Sequence, residues 1–184
     1  MVPAGYMFKH IAARPDWLRA QSVTDIWSVS SCTSANFADY IKFWAHNGYW
    51  LFDSPEKMET IASRGSIDLS KATLCYYEVH EDEFDEGQRS WSPIKPEQSF
   101  TTEVVRPSRS TLVGYDVVTF SVHTAPECSP LSCNSVATQL PVNDHCLLAT
   151  FDEAKTALEA GVFDNSEPGP FRIFAVYTVQ RMAG

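Results

Sequence analysis

The chain has 184 residues, 44% apolar and 12% aromatic, with 14 basic against 23 acidic side chains and a net charge of −9. That composition can bury one domain-sized core, and it excludes a disordered, collagen-like or low-complexity protein. The acidic balance argues against direct nucleic-acid binding. No apolar run approaches the ~20 residues that span a bilayer, and Met1 to Phe8 lacks a basic-then-apolar leader, so a soluble cytoplasmic protein is expected.

In chain order, an extended segment is predicted over Tyr6–Ala13. It ends at Arg14-Pro15, because the residue before a proline is driven toward extended geometry. A second strand follows over Asp25–Ser31. The aromatic stretch after it reads partly as a helix over about residues 35–45, with Phe37, Tyr40, Phe43 and Trp44 at the spacing of one helical face. A short strand over Tyr49–Phe52 leads to a helix opened by Ser54-Pro55 as N-cap and first turn and stopped at Gly65. A further strand is expected over Leu74–Val79.

The second half repeats this plan. Extended Phe100–Val105 runs into Arg106-Pro107, followed by strands over Tyr115–His123 and Cys146–Ala149. The next helix is opened by the capping box Thr150-Phe-Asp-Glu153 and stopped at Gly161, and Phe171–Tyr177 forms a last strand. Asn47–Leu69 aligns without a gap on Asn143–Asn165, with identities at Asn47/Asn143, Leu51/Leu147, Thr60/Thr156, Gly65/Gly161 and Asp68/Asp164. Asp25–Ser30 matches Asp116–Ser121 in the same order.

The expected fold is therefore α+β, a tandem duplication of a β-β-loop-β-α-β unit. Mostly antiparallel or mixed sheets would pack about a pseudo-two-fold axis, with few helices. Residues 1–184 are expected to form a single cooperative domain, with repeats over 6–80 and 99–180 and an acidic linker over 81–98 pinned by Trp91.

Six of the acids lie between Glu78 and Glu86, where there is no Lys or Arg; without them 17 acids face 14 bases, a net charge of −3. Glu81, Asp82, Glu83 and Asp85 thus read either as a hydrated face or as a docking spot for a basic partner. The loop between the second and third strands differs most between the repeats, being five residues longer in the second (27 against 22 steps, Asp116 to Asn143 and Asp25 to Asn47). In the first repeat Tyr40, Trp44, Tyr49 and Trp50 form a candidate binding cluster. In the second, Cys133 or Cys128 is a candidate nucleophile, with His123 or His145 as base and Asp144 or Glu127 to orient it. Cys128, Cys133, His145 and Cys146 make a weak candidate metal set, because neighbours 145 and 146 point to opposite sides of a strand. Arg14 and Arg106, related by the duplication, are candidates for an anion site; the alternative is that each bonds its own half.

No phosphate loop, H-E-x-x-H, G-x-S-x-G or EF-hand pattern occurs, and no cofactor is called for. Taken together, these features favour a small acidic macromolecule-binding protein of inhibitor, immunity or adaptor type, with a protein partner and no nucleic-acid or membrane partner. The alternatives are a small thiol-dependent enzyme using a Cys/His pair in the 123–146 loop and a ligand-binding module with a cleft between the repeats.

Overall fold

The structure, a computed structural model, describes residues 1–37, 46–96, 102–120 and 126–180. It is α+β, built on an antiparallel sheet of seven strands. β1 (Val2–His10) carries the two-residue β4 (Ala35–Asn36) on one edge and β5 (Thr73–Val79) on the other. β5 pairs with β9 (Phe171–Val179), whose far edge takes β8 (Ser110–Thr119) along its whole length. A separate two-stranded ribbon joins β2 (Ala12–Ala13) to β3 (Asp25–Ile26).

The expected linker is a hairpin. β6 (Asp82–Asp85) follows β5 onto β9, through Phe84 opposite Phe171, and β7 (Ser90–Pro93) pairs back on β6. Phe84 is buried and packs against Trp91, and the Trp91 indole donates to Glu159 at 2.9 Å. One apolar side chain inside an acidic run is enough to anchor it, while its neighbour Glu83 pairs with Arg172.

Three α-helices are present among the described residues: α1 (Pro55–Gly65), the single turn α2 (Pro130–Cys133) and α3 (Phe151–Glu159). No helix here is long and apolar enough to cross a membrane. The N-caps are those expected: Ser54 accepts from Lys57 N, and Thr150 and Glu153 complete a reciprocal capping box. The C-terminus of α1 differs by one residue. Gly65 stays helical and Ser66 takes the left-handed conformation (φ 53°), while after α3 it is Gly161 that does so (φ 79°).

Residues 49–52 and 146–149 form no strands. Phe52 and Leu148 instead make isolated antiparallel bridges, Phe52 to Tyr6 and Leu148 to Tyr115 and Val142. The predicted strand at Asp25–Ser31 shrinks to two residues, because Lys9 occupies the carbonyls of Ser28, Val29 and Ser30 that a strand partner would have used.

Two local arrangements recur. Gly5 and Gly114 sit at bulges of β1 and β8 with φ of 144° and 159°. A Cβ on Gly5 would lie 2.6 Å from Leu51 Cβ and 2.8 Å from the Phe52 carbonyl; on Gly114 it would lie 2.7 Å from Leu147 Cβ and 2.8 Å from the Leu148 carbonyl. Beside each, an asparagine locks the turn. Asn47 Nδ2 donates to the Ala4 carbonyl and Asn143 Nδ2 to the Val113 carbonyl, both at 2.8 Å. Their Oδ1 atoms accept from the backbone of Tyr49 and Leu51, and of His145 and Leu147.

Candidate functional site: a three-thiol cluster

Cys32 lies in the loop between β3 and β4. Cys128 precedes α2 and Cys133 ends it. Their sulfurs all lie within 4.8 Å of one another, with Cys32 exposed, Cys133 half-buried and Cys128 buried.

Two buried charges hold these segments in register. Lys9, with no exposed surface, donates from its ammonium to the carbonyls of Ser28, Val29 (3.1 Å) and Ser30 (2.7 Å). Asp116 Oδ2 accepts from Val29 N at 2.8 Å and from Ser129 Oγ at 2.6 Å, so one carboxylate binds the Cys32 loop and the α2 N-cap together. Thr33 Oγ1 adds a hydrogen bond to Ser132 Oγ at 3.1 Å. Cys133 N donates to the Ser129 carbonyl at 2.9 Å and Thr119 N to the Cys128 carbonyl at 2.9 Å, which ties α2 to β8. Burial lowers the Lys9 pKa to about 8 and raises that of Asp116 to about 6, against the pull of its hydrogen bonds from Ser129 and Val29.

The three thiols are unequal. Hydrogen bonds from Cys128 and Cys133 pull the Cys32 pKa far below the usual thiol value despite partial burial, helped by the charge of Lys9. Cys128 moves upward through its contacts with the Cys133 and Cys32 sulfurs and through burial. Cys133 receives a hydrogen bond from Cys128, yet donation to Cys32 together with burial pushes it up to about 12. As thiols, Cys32 also reaches the Glu127 carbonyl at 2.9 Å and Cys128 reaches Asn134 Oδ1 at 3.3 Å. An exposed cysteine within 4.8 Å of two further sulfurs is placed to act as a nucleophile with resolving partners at hand.

Of the residues singled out from the sequence, Cys128 and Cys133 come together here, and His145 does not join them. His145 Nδ1 pairs with Asp25 Oδ1 at 2.7 Å, its Nε2 lies 3.6 Å from Asp144, and its ring packs on Trp27. Cys146 is buried in the core beneath α3, where desolvation pushes its pKa up to about 12. His123, Tyr40 and Trp44 lie outside the described residues. Trp50 stacks on His46 at 3.9 Å and Tyr49 is half-buried, both in the turn that Asn47 locks.

The arginines are apart in role. Arg14 donates to the Leu18 carbonyl at 2.7 Å, and Arg106 pairs with Glu78 at 2.8 Å. Much of the acidic run is taken up internally. Glu83 pairs with Arg172 at 2.8 Å, Asp85 accepts from Gln88 N at 2.8 Å and Asp82 lies 3.9 Å from His80, whereas Glu81 is exposed.

Cys32 and Lys9 are the residues that sequence reasoning missed. Neither belongs to a spacing motif, and Cys32 meets Glu127 across 95 positions. Comparison with known families, curated proteins and solved structures finds no match to this chain.

Proposed function

We propose that this protein is thiol-dependent, with Cys32 as nucleophile and Cys133 as the resolving thiol in exchange with disulfides. The observation that carries this reading is the convergence of three sulfurs from two distant segments, one of them exposed. The Cys32 thiolate attacks one sulfur of a substrate disulfide, forming a mixed disulfide and releasing the first substrate thiolate. Cys133, giving up its proton, then attacks the Cys32 sulfur and releases the second. Two protein thiols are oxidised, one disulfide is reduced, and an external dithiol restores the pair.

The test is peptide mapping of reduced protein after exposure to oxidised glutathione. A Cys32–Cys133 bridge is expected, with a trapped glutathionyl adduct on Cys32 in Cys133→Ser and neither product in Cys32→Ser. Adduct formation at other cysteines independent of Cys32 would overturn the assignment.

We further propose that the two halves are copies of one unit. The matched surroundings of Gly5 and Gly114 support this, as does the register of the central strands. Gly5 pairs with Tyr77, Gly114 pairs with Val176, and Tyr77 pairs with Val176, so a pseudo-two-fold through that last pair exchanges the two sides. In this alignment β1 corresponds to β8, in place of the Asp25 and Asp116 segments. The longer loop then belongs to the first copy, with 41 steps from Tyr6 to Asn47 against 28 from Tyr115 to Asn143.

Binding of another protein is a second reading. It is favoured by an apolar groove of about 400 Å³ along α3, formed by Leu140, Pro141, Leu148, Ala157 and Val162 with Asp152 and Glu153 on its rim.

A further inference from the structure

The same three sulfurs carry a second chemistry, independent of disulfide exchange. Three thiolates on one zinc at Zn–S distances of ~2.3 Å stand ~3.8 Å apart in tetrahedral geometry. The sulfurs of Cys32, Cys128 and Cys133, all within 4.8 Å of each other, reach that spacing by small side-chain rotations. Their backbones are fixed to one another through Asp116, Ser129 and Thr33, so the set is held before any ion arrives. An all-sulfur set is soft and disfavours Mg2+ and Ca2+. Exposed Cys32 marks the outer edge of the triangle, where a fourth, non-protein ligand has access. On the inner side the buried Lys9 ammonium acts electrostatically on Cys32 and Cys133 and offsets the surplus negative charge of three thiolates.

We propose that reduced Cys32, Cys128 and Cys133 together bind one thiophilic d10 cation, Zn2+ with an open fourth position or three-coordinate Cu+. This ligand set differs from the one suggested by sequence spacing, since it gains Cys32 and excludes His145 and Cys146.

The test is titration of reduced, metal-free protein with Co2+ as a spectroscopic stand-in for Zn2+, and in a parallel arm with Cu+ against a competing chelator. Expected are a thiolate-to-cobalt charge-transfer absorption that saturates at one equivalent and is bleached by Zn2+, or one Cu+ retained per chain; which arm responds identifies the cation. Cys32→Ser, at an exposed position that leaves the core intact, should abolish the response, and His145→Ala should leave it unchanged. Absence of both responses in the wild type, or their persistence in Cys32→Ser with an unaltered circular dichroism spectrum, overturns the proposal. The glutathione experiment repeated with chelator present keeps the two ideas apart. A chain that forms the Cys32–Cys133 bridge yet binds neither cation retains exchange chemistry and loses the metal site.

Discussion

Gly5 and Gly114 show how a single missing Cβ can decide a strand pairing. At both, a side chain would collide with a backbone carbonyl 2.8 Å away, at a φ that L-residues rarely adopt. Gly5→Ala and Gly114→Ala should each cost about 2 kcal/mol or more. Because the surroundings match, the two losses in urea denaturation should be similar; a neutral result at either position would contradict the close approach.

Asp116 makes a pH prediction. Its folded pKa of about 6 lies above an unfolded value of ~3.9, so the folded state binds the proton more tightly. Its contribution to stability is therefore fully present below pH ~4 and is lost as pH rises through 6, a change of up to about 3 kcal/mol. Asp116→Asn keeps an oxygen for Val29 N and Ser129 Oγ and cannot titrate. The difference in denaturation midpoint between variant and wild type should shift across pH 4 to 7, and a constant difference would refute the assignment. The groups facing this carboxyl are Ser129 Oγ, Val29 N, the Lys9 charge and Val117 N, with the Tyr77 hydroxyl and the Cys146 thiol also within electrostatic reach.

At the scale of elements, the two longer helices differ in how firmly they start. The α3 cap is reciprocal, with Thr150 Oγ1 accepting from Glu153 N at 3.2 Å and Glu153 accepting from Thr150 N at 3.0 Å. The α1 cap is one 3.5 Å contact from Lys57 N to Ser54. Thr150→Ala should cost about 1 kcal/mol, and Ser54→Ala only a few tenths. Equal losses in thermal denaturation would show that the caps contribute alike.

The β6–β7 hairpin illustrates a different balance. Its acids are held by specific partners, above all Glu83 by Arg172, which is 5% exposed and stacks 3.9 Å from the Phe120 ring. Removing one member of such a pair leaves the other charge buried without compensation.

For the whole molecule, the β5–β9 pairing is the central seam. Each strand carries its own outer partner, β1 or β8, and two clusters of buried residues, one beneath α1 and one beneath α3, both draw on β8 and β9: Val118 and Phe174 join the first, Val117 and Ile173 the second. Neither side closes its sheet without the other, so the two clusters should melt in one transition. Calorimetric and van't Hoff enthalpies should agree, and two resolved transitions would mean that the halves are independent.

What the sequence determined by itself is local. Caps at Ser54 and Thr150, the helices behind them and the strands Thr73–Val79 and Phe171–Val179 follow from neighbours within a few positions, where side-chain oxygens and alternating apolar residues act directly on the backbone. The repeated Asn–Leu turn was legible for the same reason, but its partner strand was not, because the bulged glycines meet it across the sheet. Tertiary structure alone decided that Lys9 would be buried in the carbonyls of residues 28–30, that an acidic run would become a hairpin, and that Cys32 would meet Cys128 and Cys133. Those outcomes depend on sheet register. A buried cation or a thiol cluster forms only where the assembled fold supplies acceptors and neighbours that no stretch of chain carries alone.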